Sequence, residues 1–152
     1  MSKLLHLRLR QLDQQLQPLV NLPPDQPQTS WLATIRDALG MPLNAFAARL
    51  GMTPTGAKAV ERREAEGTIT LQVLRKAADA MDMRLVYALV PKDGSLEKMI
   101  ERRALIVAKE LVMRTHQTMK LEGQAVSDER LNDAIAEKAE ELRREMPKQL
   151  WR

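Results

Sequence analysis

The sequence predicts an all-α protein: a set of short helices, one short β-strand and a C-terminal helical extension. Three observations carry this. Of 152 residues 44% are apolar, yet there are only two Trp, one Tyr and one Phe, so any core must be assembled from Leu, Ala, Val, Ile and Met. Such side chains suit helices better than strands. Ser or Thr, then an apolar stripe of helical period, then Gly, recurs along the chain as capped helices would. Only Arg84-Leu85-Val86-Tyr87-Ala88-Leu89-Val90 has the β-branched and aromatic character of a strand.

Leu5, Leu9, Leu12 and Leu16 fall on one helical stripe, although Leu5 to Arg10 also alternates as a strand does. Pro18, Pro23, Pro24 and Pro27 predict a linker over residues 18–29, behind an N-terminal basic arm. Ser30 caps a first helix that runs through Leu39 and stops at Gly40. A second helix runs from about Pro42 to Leu50 and ends at Gly51, and Thr53-Pro54 opens a third, to about Arg63. Glu66-Gly67-Thr68 breaks the chain before a fourth helix from Thr70 to Met81, with Leu71, Leu74, Ala77 and Ala78 inward. The strand-like run ends at Pro91, and because a lone strand needs a partner it pairs either with a second copy or with its own domain. Ser95 caps a long helix to about Leu121, terminated by Gly123. The last helix starts at Ser127 or Asp128, carries Leu131, Ile135, Ala139 and Leu142 on one stripe, and stops before Pro147. Three regions follow: 1–29, arm and linker; 30–91, the short-helix domain; 92–152, the helical extension.

Composition excludes several functions. With no Cys and only His6 and His116, disulfides and a metal site are not expected, and no cofactor is implied. His6, Arg8 and Arg10 interrupt the N-terminal leucines, so neither a signal peptide nor a membrane span is expected, and the reading is cytoplasmic. No nucleophile and base pairing or phosphate loop predicts an enzyme. Residues 1–63 carry eight bases against four acids, and residues 127–145 seven acids against four bases. A basic front half suits phosphates, whereas the mixed back half suits solvent or a protein partner.

Two short helices joined by Leu50-Gly51-Met52-Thr53 have the spacing of a helix-turn-helix, whose second helix enters the major groove. That assigns Thr55 and Lys58 to base edges and Thr53, Arg62 and Arg63 to phosphates of double-stranded operator DNA. Lys3, Arg8 and Arg10 of the arm either reach the DNA or are solvated charges beside a dimerisation stripe. Pro54, Gly56 and Ala59 are poor base readers, and Gly56 costs about 1 kcal/mol of helix propensity against Ala.

Leu43-Asn44-Ala45-Phe46-Ala47-Ala48-Arg49-Leu50-Gly51-Met52-Thr53 resembles the Cro/C1-type (lambda repressor-like, or XRE-like) helix-turn-helix of bacterial regulators and antitoxins. Glu64-Ala65-Glu66-Gly67-Thr68-Ile69-Thr70-Leu71, Leu74 to Met81, and Leu85 to Pro91 resemble the family called mobile mystery protein A, a likeness reaching Leu150-Trp151. The resemblance implies a Fic-domain partner, an enzyme class that transfers AMP from ATP and is often silenced by a helix bearing Ser or Thr, three residues, Glu, then Gly or Asn. Thr118-Met119-Lys120-Leu121-Glu122-Gly123 fits that pattern.

Residues four apart share a helical face, so Thr118 and Glu122 project together, and a carboxylate there can occupy the arginine that would hold the ATP γ-phosphate. Gly123 then permits close approach or a helix end. The alternative is a solvated helix face with Gly123 as a cap. The expectation is an antitoxin that inhibits a Fic-domain AMP-transferase and represses its own operator as a homodimer. Its competitor is a free-standing transcriptional regulator whose C-terminal helices serve oligomerisation or sensing.

Overall fold

The computed structural model describes residues 2–23, 30–123 and 127–152. The described residues are all helical apart from turns and loops, in two compact units: Met1–Leu22 with Ala88–Arg152, and Pro23–Tyr87. The N-terminal arm therefore shares a unit with the C-terminal helices.

In the Pro23–Tyr87 unit, α2 (Trp31–Ala38), α3 (Leu43–Leu50), α4 (Pro54–Glu66) and α5 (Leu71–Ala80) surround Phe46, which has no exposed surface. Leu32, Ala47, Ala57, Val60, Ala77 and Met81 complete the buried cluster. Its many alanines let the helices approach closely around one aromatic ring, as the composition requires.

Polar groups fix the helix ends. Ser30 Oγ accepts the Ala33 amide at 3.0 Å and donates to Glu64 Oε1 at 2.5 Å, while the Leu32 amide donates to the same carboxylate at 2.9 Å. Glu64 of α4 thus satisfies the Leu32 amide, which α2 cannot. Gly51 and Gly67, at φ +68° and +75°, end α3 and α4 in the left-handed region that L side chains resist. Arg36 Nε donates to buried Glu61 Oε1 at 2.6 Å and Arg36 Nη1 to the Met41 carbonyl at 3.0 Å, tying α2 to α4 and to the loop before α3. The Glu61 hydrogen bond raises the Arg36 pKa against the opposing effect of burial.

The other unit comprises α1 (Ser2–Val20), α6 (Leu96–Leu121), α7 (Asp128–Glu145) and a 3-10 turn, Lys148–Trp151. Ala104, Val107, Ala108, Leu142 and Leu150 are its buried centre, flanked by Leu111, Ile135, Ala139 and Met146. Asp13 of α1 caps α6: its two oxygens accept the Leu96 amide at 2.7 Å and the Glu97 amide at 3.1 Å, and Ser95 Oγ takes the Lys98 amide at 3.1 Å. The Arg103 guanidinium donates to the carbonyl oxygens of Leu150 and Arg152, fastening the 3-10 turn.

Three expectations change. The linker read as starting at Pro18 does not: α1 runs to Val20 with Pro18 inside it. The proline removes one amide near the helix end, and Leu19 and Val20 are half-buried beyond it. Of the proposed linker, residues 24–29 lie outside the described residues. The leucine stripe is also rotated, because the half-buried face is His6, Leu9, Asp13 and Leu16, leaving Leu5 and Leu12 exposed. Residues 84–90 form no strand: no other described segment pairs with them, and Val86, Tyr87 and Leu89 are exposed.

Candidate functional site

The residues that the sequence singles out fall on both units. α4 begins where Thr53 Oγ1 accepts the Gly56 amide at 3.1 Å and Pro54 occupies a position whose amide would have no helical partner. Thr55, Lys58 and Arg62 follow at helical spacing on one exposed face, and with Leu43, Pro54 and Ala59 they line a shallow concavity of about 580 Å³. Lys58 Nζ lies 3.7 Å from Glu61 Oε2 and Arg62 Nε 3.8 Å from Glu66 Oε1. Those exposed cations are loosely held and available to phosphate. Arg63 is exposed, makes no ion pair among the described residues, and sits about 100° round the helix from Arg62. The Thr53 hydroxyl is occupied as an acceptor at the cap and retains its proton for donation. Space does not require Gly56, since a Cβ there would lie 3.4 Å from Thr53 Oγ1 and 3.5 Å from Met52 Sδ, ordinary contacts.

Lys3, Arg8 and Arg10 are exposed on α1, in the other unit. Arg8 borders a shallow groove with Gln11, Leu12 and Gln15, and Arg10 Nε stands 3.9 Å from Glu97 Oε1.

At the end of α6, Thr118 is in the last turn and its Oγ1 donates to the Arg114 carbonyl at 3.1 Å. Glu122 is the C-cap, its amide bonded to the Thr118 carbonyl at 3.2 Å, and Gly123 turns the chain at φ +79°. Both side chains are exposed, and Leu121 beside them is 90% exposed. The Glu122 carboxylate makes no ion pair among the described residues. A negative charge at a helix C-terminus opposes the helix dipole, at a cost of about 0.3–1 kcal/mol. Local stability therefore does not account for this glutamate.

A groove of about 260 Å³ between α6 and α7 escapes sequence reasoning. Its α6 wall is Leu111, Val112, Thr115, His116 and Met119, and its α7 wall includes Arg130, Leu131, Ala134 and Lys138. Each wall has helical spacing, but only packing of the two helices makes a concavity. His116 Nδ1 is buried with no hydrogen-bond partner among the described residues.

Among the described residues no group of three or more His, Cys, Asp or Glu could hold a metal ion, and no helix is long and apolar enough to cross a membrane. Compared with known protein families, curated proteins and solved structures, the chain shows no significant match.

Proposed function

We propose that the chain is an antitoxin: α3 and α4 form a helix-turn-helix that binds operator DNA as a homodimer, and the end of α6 silences a Fic-domain AMP-transferase. The observation that carries the inhibitory half is Glu122 itself, an exposed carboxylate without an ion pair among the described residues, one turn after Thr118, where the helix dipole disfavours it. The resemblance to mobile mystery protein A supplies the partner class.

In this reading Glu122 takes the partner arginine that would otherwise hold the ATP γ-phosphate, since a guanidinium fork accepts a carboxylate as readily as a phosphate. ATP then lies in an unproductive pose, and AMP transfer fails because in-line displacement depends on positioning. Gly123 allows the chain to leave the helix directly after Glu122, keeping that side chain at the tip.

The DNA half is supported by Thr55, Lys58 and Arg62 sharing an exposed face behind a three-residue turn. Residues 84–90 are the proposed dimer strand: no backbone hydrogen bond holds them among the described residues, and Leu89 is 86% exposed. Pairing with a second copy would satisfy both deficits.

Co-expression with a Fic-domain AMP-transferase and assay of AMP transfer by the purified complex test the first half. Glu122→Gly should leave the complex intact and restore transfer; full inhibition by that variant removes the mechanism. For the second half, Leu89→Asp should convert dimer to monomer in sedimentation equilibrium, and an unchanged mass would exclude the strand from the interface.

A further inference from the structure

The groove between α6 and α7 is mostly apolar and bordered by two cations, with no acid among the described residues that line it. Leu111, Val112 and Met119 face Leu131 and Ala134 across it, so an occupant must present a hydrocarbon body. From Leu111 to Met119 the α6 wall rises about 12 Å. A volume of about 260 Å³ lies just below the range for drug-sized ligand sites, roughly 300–1,000 Å³, and so suits a small occupant.

The two cations differ. Lys138 Nζ is held by both oxygens of Glu141, at 3.1 and 3.2 Å, and is largely neutralised. Arg130 has no ion pair among the described residues, and only its backbone amide is engaged, by Ser127 Oγ at 3.3 Å. A free planar guanidinium at the edge of an apolar groove is matched by a carboxylate, which it can bind through two parallel hydrogen bonds. His116 on the α6 wall adds an imidazole with unused hydrogen-bonding capacity, its Nδ1 being buried and unpartnered.

We infer that this groove binds a small amphipathic carboxylate, a linear or lightly branched hydrocarbon acid, with its chain between α6 and α7 and its head on Arg130. The site is distinct from the Glu122 carboxylate and does not depend on the antitoxin reading.

Calorimetric titration of the full chain with hexanoate, octanoate and decanoate, below the concentrations at which they form micelles, tests it. One saturable site is expected, tightening about fourfold for each added methylene. Arg130→Gln should weaken decanoate about tenfold or more while leaving decanol, which lacks the charge, within about twofold. Ala134→Phe should fill the groove and abolish binding of both without lowering the melting temperature; if that variant melts early, Thr115→Phe serves the same purpose from the α6 wall. Absence of saturation by decanoate overturns the proposal. So does binding that survives a filled groove, or a loss on Arg130→Gln that is equal for acid and alcohol.

Discussion

With 2% of its surface exposed, Glu61 keeps one oxygen on Arg36 and the other 3.7 Å from Lys58. Removing it leaves a guanidinium whose side chain is 11% exposed with only the exposed Asp37 carboxylate, 3.1 Å away, to balance its charge, and breaking such a buried pair costs about 3–5 kcal/mol. A small helical unit has only about 5 kcal/mol to lose. Glu61→Ala should therefore abolish the cooperative urea transition of that unit in circular dichroism, whereas a sharp transition near the wild-type midpoint would show that the pair contributes little. Lys58→Ala should cost less than about 1 kcal/mol, because its ammonium is in solvent, yet on the proposed operator-binding function it should reduce the slope of log affinity for operator DNA against log salt by about one. Mobility shifts across a salt series read that slope, and an unchanged value would take Lys58 off the phosphates. Gly56→Ala should stabilise by about 0.5–1 kcal/mol, since the added methyl meets only ordinary contacts, and calorimetry should record a rise in melting temperature. At this scale the sequence was readable where one residue acts on its own neighbours. The Thr53 cap and the shared face of Thr55, Lys58 and Arg62 follow from helical spacing, whereas Ser30 and Leu32 meeting Glu64 does not.

Helix starts were legible because Ser30, Thr53, Thr70, Ser95 and Ser127 each accept an amide three residues on, a bond written within one turn of sequence. What stayed hidden is long-range. Asp13 caps α6 across 83 residues, and a single Asp between Leu9 and Leu16 on α1 carries no sign of a partner so far along the chain. The strand-like run had the composition for pairing but has no partner among the described residues, and composition cannot supply one. The groove needs α6 and α7 side by side, so its residues read separately as two ordinary stripes. Asp13→Ala should cost about 1–2 kcal/mol, for two amides lose their acceptor together. A melting temperature equal to wild type would mean that water replaces the carboxylate freely. In α7 the Arg143 hydrogen bond holds the Glu140 carboxyl below its usual range. Its contribution is present above about pH 4.3 and fades as pH falls through the lowered folded value. An NMR titration of Glu140 should place its midpoint below that of a free glutamate.

Each unit has its own buried cluster, but only one is continuous in sequence. Residues 23–87 expressed alone should melt cooperatively as a helical domain, and a non-cooperative melt would contradict the autonomy of the Phe46 core. Residues 88–152 without α1 lack the cap on α6 and should melt early. A peptide of residues 1–22 added in trans should raise that melting temperature.

That split arrangement imposes an order on biosynthesis. On the ribosome α1 emerges before α6, and the helix it packs on is completed roughly 100 residues later, a wait of about 5–20 s at ordinary elongation rates. Meanwhile the Phe46 domain can close by itself. Through that interval Leu9, Leu16, Leu19 and Val20, half-buried in the folded unit, remain on a nascent segment without its docking surface. The newborn chain should thus depend on chaperone protection of α1, and depletion of ribosome-associated holdases should deplete this protein before it depletes the isolated 23–87 domain.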